Sequence, residues 1–207
     1  MIDPLTLAAF VPAALALNLT PGADMLFCLA QGARGGPRAA LAAAAGVSTG
    51  SMVHVLLAGL GLGALVAAVP LAFDVIRWVG VAYLVWLAWR SLRPARGDAG
   101  TPAPVRPARA FRDGMIVNLT NPKVILFILA FVPQFVDPAQ PVLPQFLAFG
   151  AIIAIGGLLA NGGFGAASGG LGRALARNAR FDAVLRGISA TVFGALAVKL
   201  AMDGRGG

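Results

Sequence analysis

The sequence predicts an all-α polytopic membrane protein with six transmembrane helices, arranged as two inverted three-helix repeats with helix breaks in spans 1 and 4. Three observations predict this fold class. The chain is 58% hydrophobic and only 12% charged, with a mean hydropathy of +0.83, whereas soluble domains are about 25% charged. It contains six long apolar stretches, and a ten-residue motif recurs at an offset of 100 residues in a chain of 207.

The six apolar stretches are each long enough to cross a bilayer as a helix, which takes about 20 residues. The second stretch is the longest, so we expect it to tilt or to extend beyond the membrane. The predicted spans are 5–30, 39–69, 71–92, 113–136, 143–169 and 183–203.

Basic residues lie beside alternate gaps between these spans. Twelve of the 16 Lys and Arg residues flank the gaps after spans 1, 3 and 5, and the gaps after spans 2 and 4 contain none. Cytoplasmic loops carry such an excess, so the pattern predicts a multi-pass protein of a bacterial-type plasma (inner) membrane with both termini outside. The net charge of +8 does not indicate nucleic acid as a partner, because that needs a basic face on a folded domain.

One linker divides the chain. It covers 93–110 and is rich in Pro, Gly and Arg, so we expect a mobile cytoplasmic loop. It separates a first three-helix repeat, 1–92, from a second, 111–207. Because three is odd, the second repeat enters the membrane from the opposite side, as in many secondary transporters. The paired motifs "NLTPGADMLF" and "NLTNPKVILF", at 18–27 and 118–127, support this repeat, and the alternative is chance similarity between apolar segments.

Each copy of the motif interrupts a span. Thr20-Pro21 and Asn121-Pro122 both have the pattern of a helix start, because Thr and Asn are good N-caps and Pro is preferred at the first helical position. Each span would then be two half-helices around an unwound segment, which is tolerated only where protein or a wet cavity satisfies the backbone. The start of a half-helix favours an anion, such as a substrate carboxylate.

A charge follows each break, Asp24 in the first half and Lys123 in the second. A charge within a span costs about 2.5–3.5 kcal/mol, so its default interpretation is functional. Asp24 would meet a substrate ammonium or carry a proton, and Lys123 would meet a carboxylate; the alternative is an ion pair that only joins the halves. Gln31 and Gln134 have spacings that place them on the helix faces of these charges. Four side chains are expected to satisfy freed backbone groups: Asn18, Thr20, Asn118 and Thr120.

Other polar and small residues carry weaker signals. His54, the only histidine, either bonds across helices or relays protons. Asn161 either bonds between helices or lines a pocket. The glycines of spans 2 and 5 permit close helix approach, within one subunit, at a dimer face or at a sliding surface. One His, one Cys and no Glu provide too few ligands for a metal site, and we expect no cofactor.

Three segments make the chain resemble the LysE/RhtB family of amino-acid exporters: "TPGADMLF" at 20–27, "GVSTGSMVHVLLAGLGLGAL" at 46–65 and "NLTNPKVILFILAFVPQFVDP" at 118–138. The resemblance covers nearly the whole chain. It implies efflux of amino acids or close derivatives, driven by the proton-motive force. The family's second proline in the first motif is replaced here by Ala23. The sequence Pro-Gly-Ala-Asp is similar to the homoserine/threonine branch, which implies a neutral substrate. The residues that the resemblance marks are Pro21, Gly22, Asp24, Asn121, Pro122 and Lys123.

The predicted function is therefore a secondary transporter, not an enzyme, that exports amino acids by alternating access in exchange for protons. Its partners would be the small-molecule substrate, protons and the lipid bilayer, and a homodimer is compatible with the sequence. One alternative is an uncoupled channel or an assembly protein, which sequence alone does not exclude. Another is an intramembrane serine protease that uses Ser168 in "GAASGG" with His54, which requires a base within hydrogen-bond reach of the serine.

Overall fold

The computed structural model describes residues 2–68 and 106–169, together with isolated residues between 78 and 92 and between 183 and 202. All regular structure in these residues is helical. The predicted third and sixth spans are described only at isolated positions, which are helical except for a turn at Leu92. Most of the predicted linker lies outside the described residues.

Helix α1, Pro4–Leu19, is the first half of predicted span 1. Asp3 caps it, since its carboxylate accepts a hydrogen bond from the Thr6 amide at 3.2 Å, and Pro4 occupies the first turn. The helix ends at Thr20 and the chain becomes helical again at Ala23. The break predicted in span 1 is therefore present.

Helix α2, Ala23–Ala68, consists of two segments that fold back on each other at Gly36. This glycine has φ 71° and ψ −171°, a conformation that is essentially restricted to glycine, and Pro37 then starts the second segment. In a straight helix, Asp24 and Ser48 would be about 36 Å apart, yet both line one cavity. The two segments therefore correspond to the end of predicted span 1 and to predicted span 2.

Helix α3, Pro107–Leu119, begins inside the segment predicted as linker and six residues before the predicted start of span 4. The reason is local. Pro107 suits the first turn, Ala110 is buried, and the exposed side chain of Arg109 pairs with Asp113 one turn later. Because an arginine occurs at every third position, at 106, 109 and 112, the start of this helix does not appear as an apolar run in the sequence.

A second break separates α3 from α4, Pro122–Leu126, and the chain bends by 54° there. After α4 the same run continues as a π-helix, Phe127–Phe131, and then as a 3-10 helix, Val132–Phe135. Helix α5, Val142–Ala166, follows and ends in a short 3-10 turn, Ala167–Gly169. The break predicted in span 4 is thus also present.

The contacts of α2 set the direction of its neighbours. Its second segment is antiparallel to α5, because Val55 packs on Gly150 whereas Leu41 packs on Gly162. It is parallel to α3, because Gly46 meets Phe111 whereas Gly50, one turn later, meets Asn118. In the same way α1 is parallel to α5, with Phe10 beside Phe149 and Asn18 beside Gly156.

Several glycines permit these close approaches. A Cβ at Gly46 would lie 2.0 Å from the carbonyl oxygen of Phe111, and one at Gly165 would lie 2.8 Å from that of Cys28. These glycines are therefore used for packing within the subunit, the first of the three roles that the sequence leaves open. Beside them lies a core of phenylalanines from α1, the α4 run and α5, namely Phe10, Phe127, Phe131, Phe146 and Phe149.

Two helical runs of the described chain are long and apolar enough to cross a membrane, Ala23–Gly61 and Val142–Ala166, and the bent pair α3 and Pro122–Phe135 is a third candidate. The first run folds back at Gly36, and α1, a shorter apolar helix, precedes it across the break at 20–22. The fold is thus an all-helical arrangement of apolar helices, as predicted.

Candidate functional site

A small cavity lies between the two breaks. The space in it that the centre of a water-sized molecule can occupy is about 10 Å³. Every helix from α1 to α5 except α3 contributes to its wall. The polar lining residues are Asn18, Thr20, Asp24, Ser48, Ser51, Lys123 and Asn161, and Leu17, Met25, Val47, Val124, Ile153 and Gly157 complete the wall.

Asp24 is the acidic group of the cavity. It lies in the first turn of α2, where the helix dipole favours a negative charge, and only 6% of its surface is exposed. Its Oδ2 accepts a hydrogen bond from Asn118 Nδ2 at 3.0 Å. Its Oδ1 is buried and has no hydrogen-bond partner among the described residues. One oxygen is thus held by the protein while the other is open to a donor.

Asn118, from the second copy of the motif, is fully buried and holds Asp24 in place. Its own Oδ1 lies 3.3 Å from the hydroxyl of Ser51, which donates to it. The result is a buried polar chain from Ser51 through Asn118 to Asp24. It joins the two halves of the molecule.

Lys123 reaches from the second break to the first. Its Nζ donates to the carbonyl oxygens of Leu17, at 2.9 Å, and Thr20, at 3.1 Å. These belong to the C-terminal end of α1, whose last carbonyls have no partner within the helix and whose dipole attracts a cation. Gly22 leaves room for the lysine, since a Cβ there would lie 3.2 Å from Nζ.

The two predicted helix starts have different outcomes. Asn121 is the N-cap of α4, as predicted, and its side chain accepts from the Lys123 amide at 3.0 Å with Pro122 in the first turn. The prediction for Thr20 is wrong. It ends α1 instead, because its hydroxyl donates back to the Ala16 carbonyl and the next helix starts only at Ala23.

Asn18 and Thr120 bond to backbone carbonyls, as expected for residues near a break. Asn18 Nδ2 donates to the Ile153 carbonyl on α5 at 3.1 Å. Thr120 is exposed, and its hydroxyl lies 2.9 Å from the Ile116 carbonyl in its own helix. Asn18 therefore lines the cavity and ties α1 to α5, whereas Thr120 does neither.

Gln134 is not brought to the cavity. Its predicted position on the face of Lys123 assumes a continuous α-helix, but the intervening π-helix and 3-10 helix change the number of residues per turn. Its amide instead donates to the Ala130 carbonyl at 3.3 Å. Gln31 is buried but also does not line the cavity.

His54 lies outside the cavity lining, one turn beyond Ser51 on α2. It is half-buried, and its Nε2 has no hydrogen-bond partner among the described residues. Pro21 is half-buried and Pro122 exposed, and neither lines the cavity, so both shape the breaks rather than its wall.

Ser48, Ser51 and Asn161 line the cavity. Pocket lining is one of the two roles predicted for Asn161, whereas neither serine was predicted as a site residue. Ser48 donates to the Ala154 carbonyl at 2.8 Å and so fixes α2 against α5. A usable signal was present, because Ser48 and Ser51 lie three apart in an apolar span. Gly157 and Asn161 lie four apart in another, so each pair shares a helix face.

The geometry is incompatible with the protease alternative. Ser168 lies beside Gly32, whereas Val55, the neighbour of His54, packs on Gly150. Ser168 and Gly150 are at opposite ends of the α5 region, about 27 Å apart at the helical rise per residue. His54 therefore does not reach the serine as a base.

The chain matches the family model described as LysE type translocator over residues 15–204. A homoserine/homoserine lactone efflux protein of Salmonella typhimurium is 40% identical over 144 residues, which is 69% of this chain and 70% of the relative. A membrane protein of Vibrio cholerae, described as uncharacterized, is 40% identical over 145 residues, with the same coverage. A leucine efflux protein of Klebsiella pneumoniae is 35% identical over 131 residues, 62% of each chain. No solved structure matches the chain significantly.

Proposed function

The chain belongs to the family of LysE-type translocators, and from this premise we propose that it exports neutral amino acids or their derivatives in exchange for protons. Membership confirms the family predicted from three motifs, and with it a membrane transporter of amino acids rather than an enzyme. The proton coupling, the neutral substrate and alternating access are the proposal.

The proposed substrate class is homoserine-like or threonine-like. Two observations support it. The Salmonella typhimurium relative is described as a homoserine/homoserine lactone efflux protein, and a second relative as a leucine efflux protein, so neutral substrates recur among these names. The sequence Pro-Gly-Ala-Asp at 21–24 also resembles the homoserine/threonine branch.

The observation that carries the proposed mechanism is the state of Asp24. One of its oxygens is held by Asn118, and the other is buried in the cavity wall without a partner among the described residues. A proton or a substrate ammonium would satisfy that oxygen equally well, but not both at once. Competition for one carboxylate couples the two movements, because arrival of a proton from outside displaces the substrate and arrival of substrate from inside displaces the proton.

We propose that the cavity lies between two inverted three-helix repeats, 1–92 and 111–207, joined by the predicted linker. The packing supports this. Gly50 of α2 meets Asn118, and Gly156 of α5 meets Asn18. The predicted second span of each half thus approaches the motif asparagine of the other half. The antiparallel contact of α2 with α5 is the one that an inverted repeat requires. Because α2 and α3 are parallel, the chain has to cross the membrane once more between them. The predicted third span would provide that crossing.

Alternating access would then be a rocking of one repeat against the other around this cavity. We further propose a location in the plasma (inner) membrane with both termini outside, based on the arginine pattern of the sequence. Self-association into a homodimer stays a hypothesis. Gly61 and Gly163, in contrast to the packed glycines, have no atom of a neighbour within 4 Å of their Cβ positions in the described structure.

The test is transport by the purified protein in liposomes with an acidic lumen. Protons that leave the lumen should drive accumulation of labelled homoserine, threonine or leucine above the external concentration. Collapse of the gradient with a protonophore should abolish the accumulation. Equilibration without accumulation would favour the channel alternative, and movement of no amino acid in the panel would contradict the proposed function.

A further inference from the structure

Hydrogen-bond donors and acceptors in and behind the cavity wall are unequally satisfied, and this difference indicates what part of a ligand the cavity recognises. Most polar side chains there already donate to oxygen atoms of the protein. These side chains are Asn18, Thr20, Ser48, Ser51, Asn118 and Lys123. Their donors are therefore committed to holding the helices together.

Two acceptors are in the opposite state. Asp24 Oδ1 and Asn161 Oδ1 are buried, and neither has a hydrogen-bond partner within the described part of the chain. Their residues are 6% and 3% exposed, and both line the cavity. A buried acceptor that lacks a donor is costly and calls for an explanation. The explanation offered by the cavity is a ligand that brings several donors.

A primary ammonium is the group that fits, because it carries three N–H donors, no acceptor and a positive charge. Asp24 approaches from the first turn of α2 and Asn161 from α5, one turn beyond Gly157. The positive start of α2, predicted to favour a substrate carboxylate, already has the carboxylate of Asp24 in its first turn. The lysine ammonium likewise already donates to carbonyl oxygens at the end of α1.

We propose that Asp24 and Asn161 form an ammonium subsite, with Asn161 as a specificity residue, so that the ligand is recognised by its amine and its free carboxylate is dispensable. The inference rests on the proposed function and sharpens its substrate class to primary amines. Amino acids whose carboxylate is blocked as an amide or a lactone should then bind, and N-acylated amino acids should not.

The test is competition against uptake of labelled homoserine by the full-length protein in liposomes with an acidic lumen. Homoserine amide keeps the ammonium and lacks the carboxylate, and N-acetylhomoserine has the reverse composition. The amide should compete within a few-fold of unlabelled homoserine, whereas N-acetylhomoserine should not compete even in large excess. The opposite order would overturn the inference while the proposed function stands. Absence of any homoserine uptake by the wild type would overturn both.

Variants separate recognition from packing. Asn161→Ala should weaken competition by homoserine and by its amide in parallel, by about tenfold or more, because each loses one hydrogen bond to a charged group. Asn161→Asp, which keeps a hydrogen-bond acceptor at this position, should restore competition by both compounds. The control is Thr49→Ala, since Thr49 is exposed and bonds only to Ala45 in its own helix. An Asn161→Ala variant with unchanged competition would overturn the assignment, as would a failure of Asn161→Asp to restore it in protein that folds as stably as the wild type.

Discussion

The ammonium of Lys123 lies 2.9 Å from the carbonyl oxygen of Leu17, which is 106 residues earlier in the chain. This bond joins the break of one half to the break of the other. The last carbonyls of α1 lie within an apolar helical protein. A bilayer would offer them no hydrogen-bond donor in place of water. The second half of the chain supplies that donor. The carbonyl groups at the first break are therefore hydrogen-bonded to Lys123 only when both halves are assembled.

Replacement of this lysine should destabilise the assembly. Lys123→Met keeps the length of the side chain but removes both hydrogen bonds to the end of α1. Each hydrogen bond to a charged group contributes roughly 1.5–3 kcal/mol, so we expect a clearly lower melting temperature in detergent together with reduced transport. Lys123→Arg, which keeps the charge and the donors, should retain most of the stability. A Lys123→Met protein as stable as the wild type would show that the bridge contributes little.

Asn118 should matter for the position of Asp24. Asn118→Ala removes the donor to Asp24 Oδ2, which leaves that buried oxygen without a partner at a cost of roughly 1–3 kcal/mol. Ser51 keeps the Val47 carbonyl, at 3.3 Å, as an acceptor. We expect lower stability in thermal denaturation and strongly reduced uptake of homoserine. The Thr49→Ala variant serves as the control, because Thr49 is on α2, the helix that packs against Asn118 of α3. If Asn118→Ala retained wild-type uptake, the buried chain from Ser51 to Asp24 would have no role in transport.

The reversal at Gly36 should tolerate no other residue well. No neighbouring atom lies within 4 Å of its Cβ position in the described structure, so the effect of Gly36→Ala should come from the backbone alone. A side chain at φ 71° and ψ −171° costs about 1–3 kcal/mol. The matched control is Gly61→Ala, also in open space but within a helix, where alanine gains about 1 kcal/mol. Equal melting temperatures for the two variants would contradict this conformation.

Opposite sides of the membrane are predicted for the two ends of the second broken helix. In a Cys28→Ala background, a single cysteine at Arg109 should react only with a reagent supplied from the cytoplasm, and one at Gln140 only from outside. Both positions are on exposed surface, so neither substitution should disturb the fold. Reaction of both cysteines from one side would mean that α3 and α4 form a re-entrant loop, and the inverted repeat would then be wrong.

The breaks and their charges could be predicted from the sequence because their signals are local. A proline within an apolar run, closely followed by a charged residue, is unusual in a membrane-spanning segment. Asp24 and Lys123 can therefore be recognised from the sequence alone. Asn121 as a helix cap is equally local, since the cap bonds to an amide two residues later.

The partners of these residues could not be predicted, because they depend on how the helices pack. Nothing in the sequence indicates that Lys123 would bond to the end of α1 rather than to a ligand, or that Thr20 would bond backwards to Ala16. The predicted position of Gln134, on the helix face of Lys123, was wrong for a related reason. A π-helix between two regular turns depends on the packing of Phe127 and Phe131 in the core, which residue spacing does not reveal.

The central claim is that the free oxygen of Asp24 couples substrate to protons, and one comparison tests it most directly. Liposomes with an acidic lumen should contain the wild type, Asp24→Asn or Asp113→Asn; the last makes the same change in an arginine-paired aspartate outside the cavity. We predict gradient-driven accumulation of labelled homoserine by the wild type and Asp113→Asn. In Asp24→Asn, which should remain folded, accumulation should be lost. Full accumulation by Asp24→Asn would contradict the account.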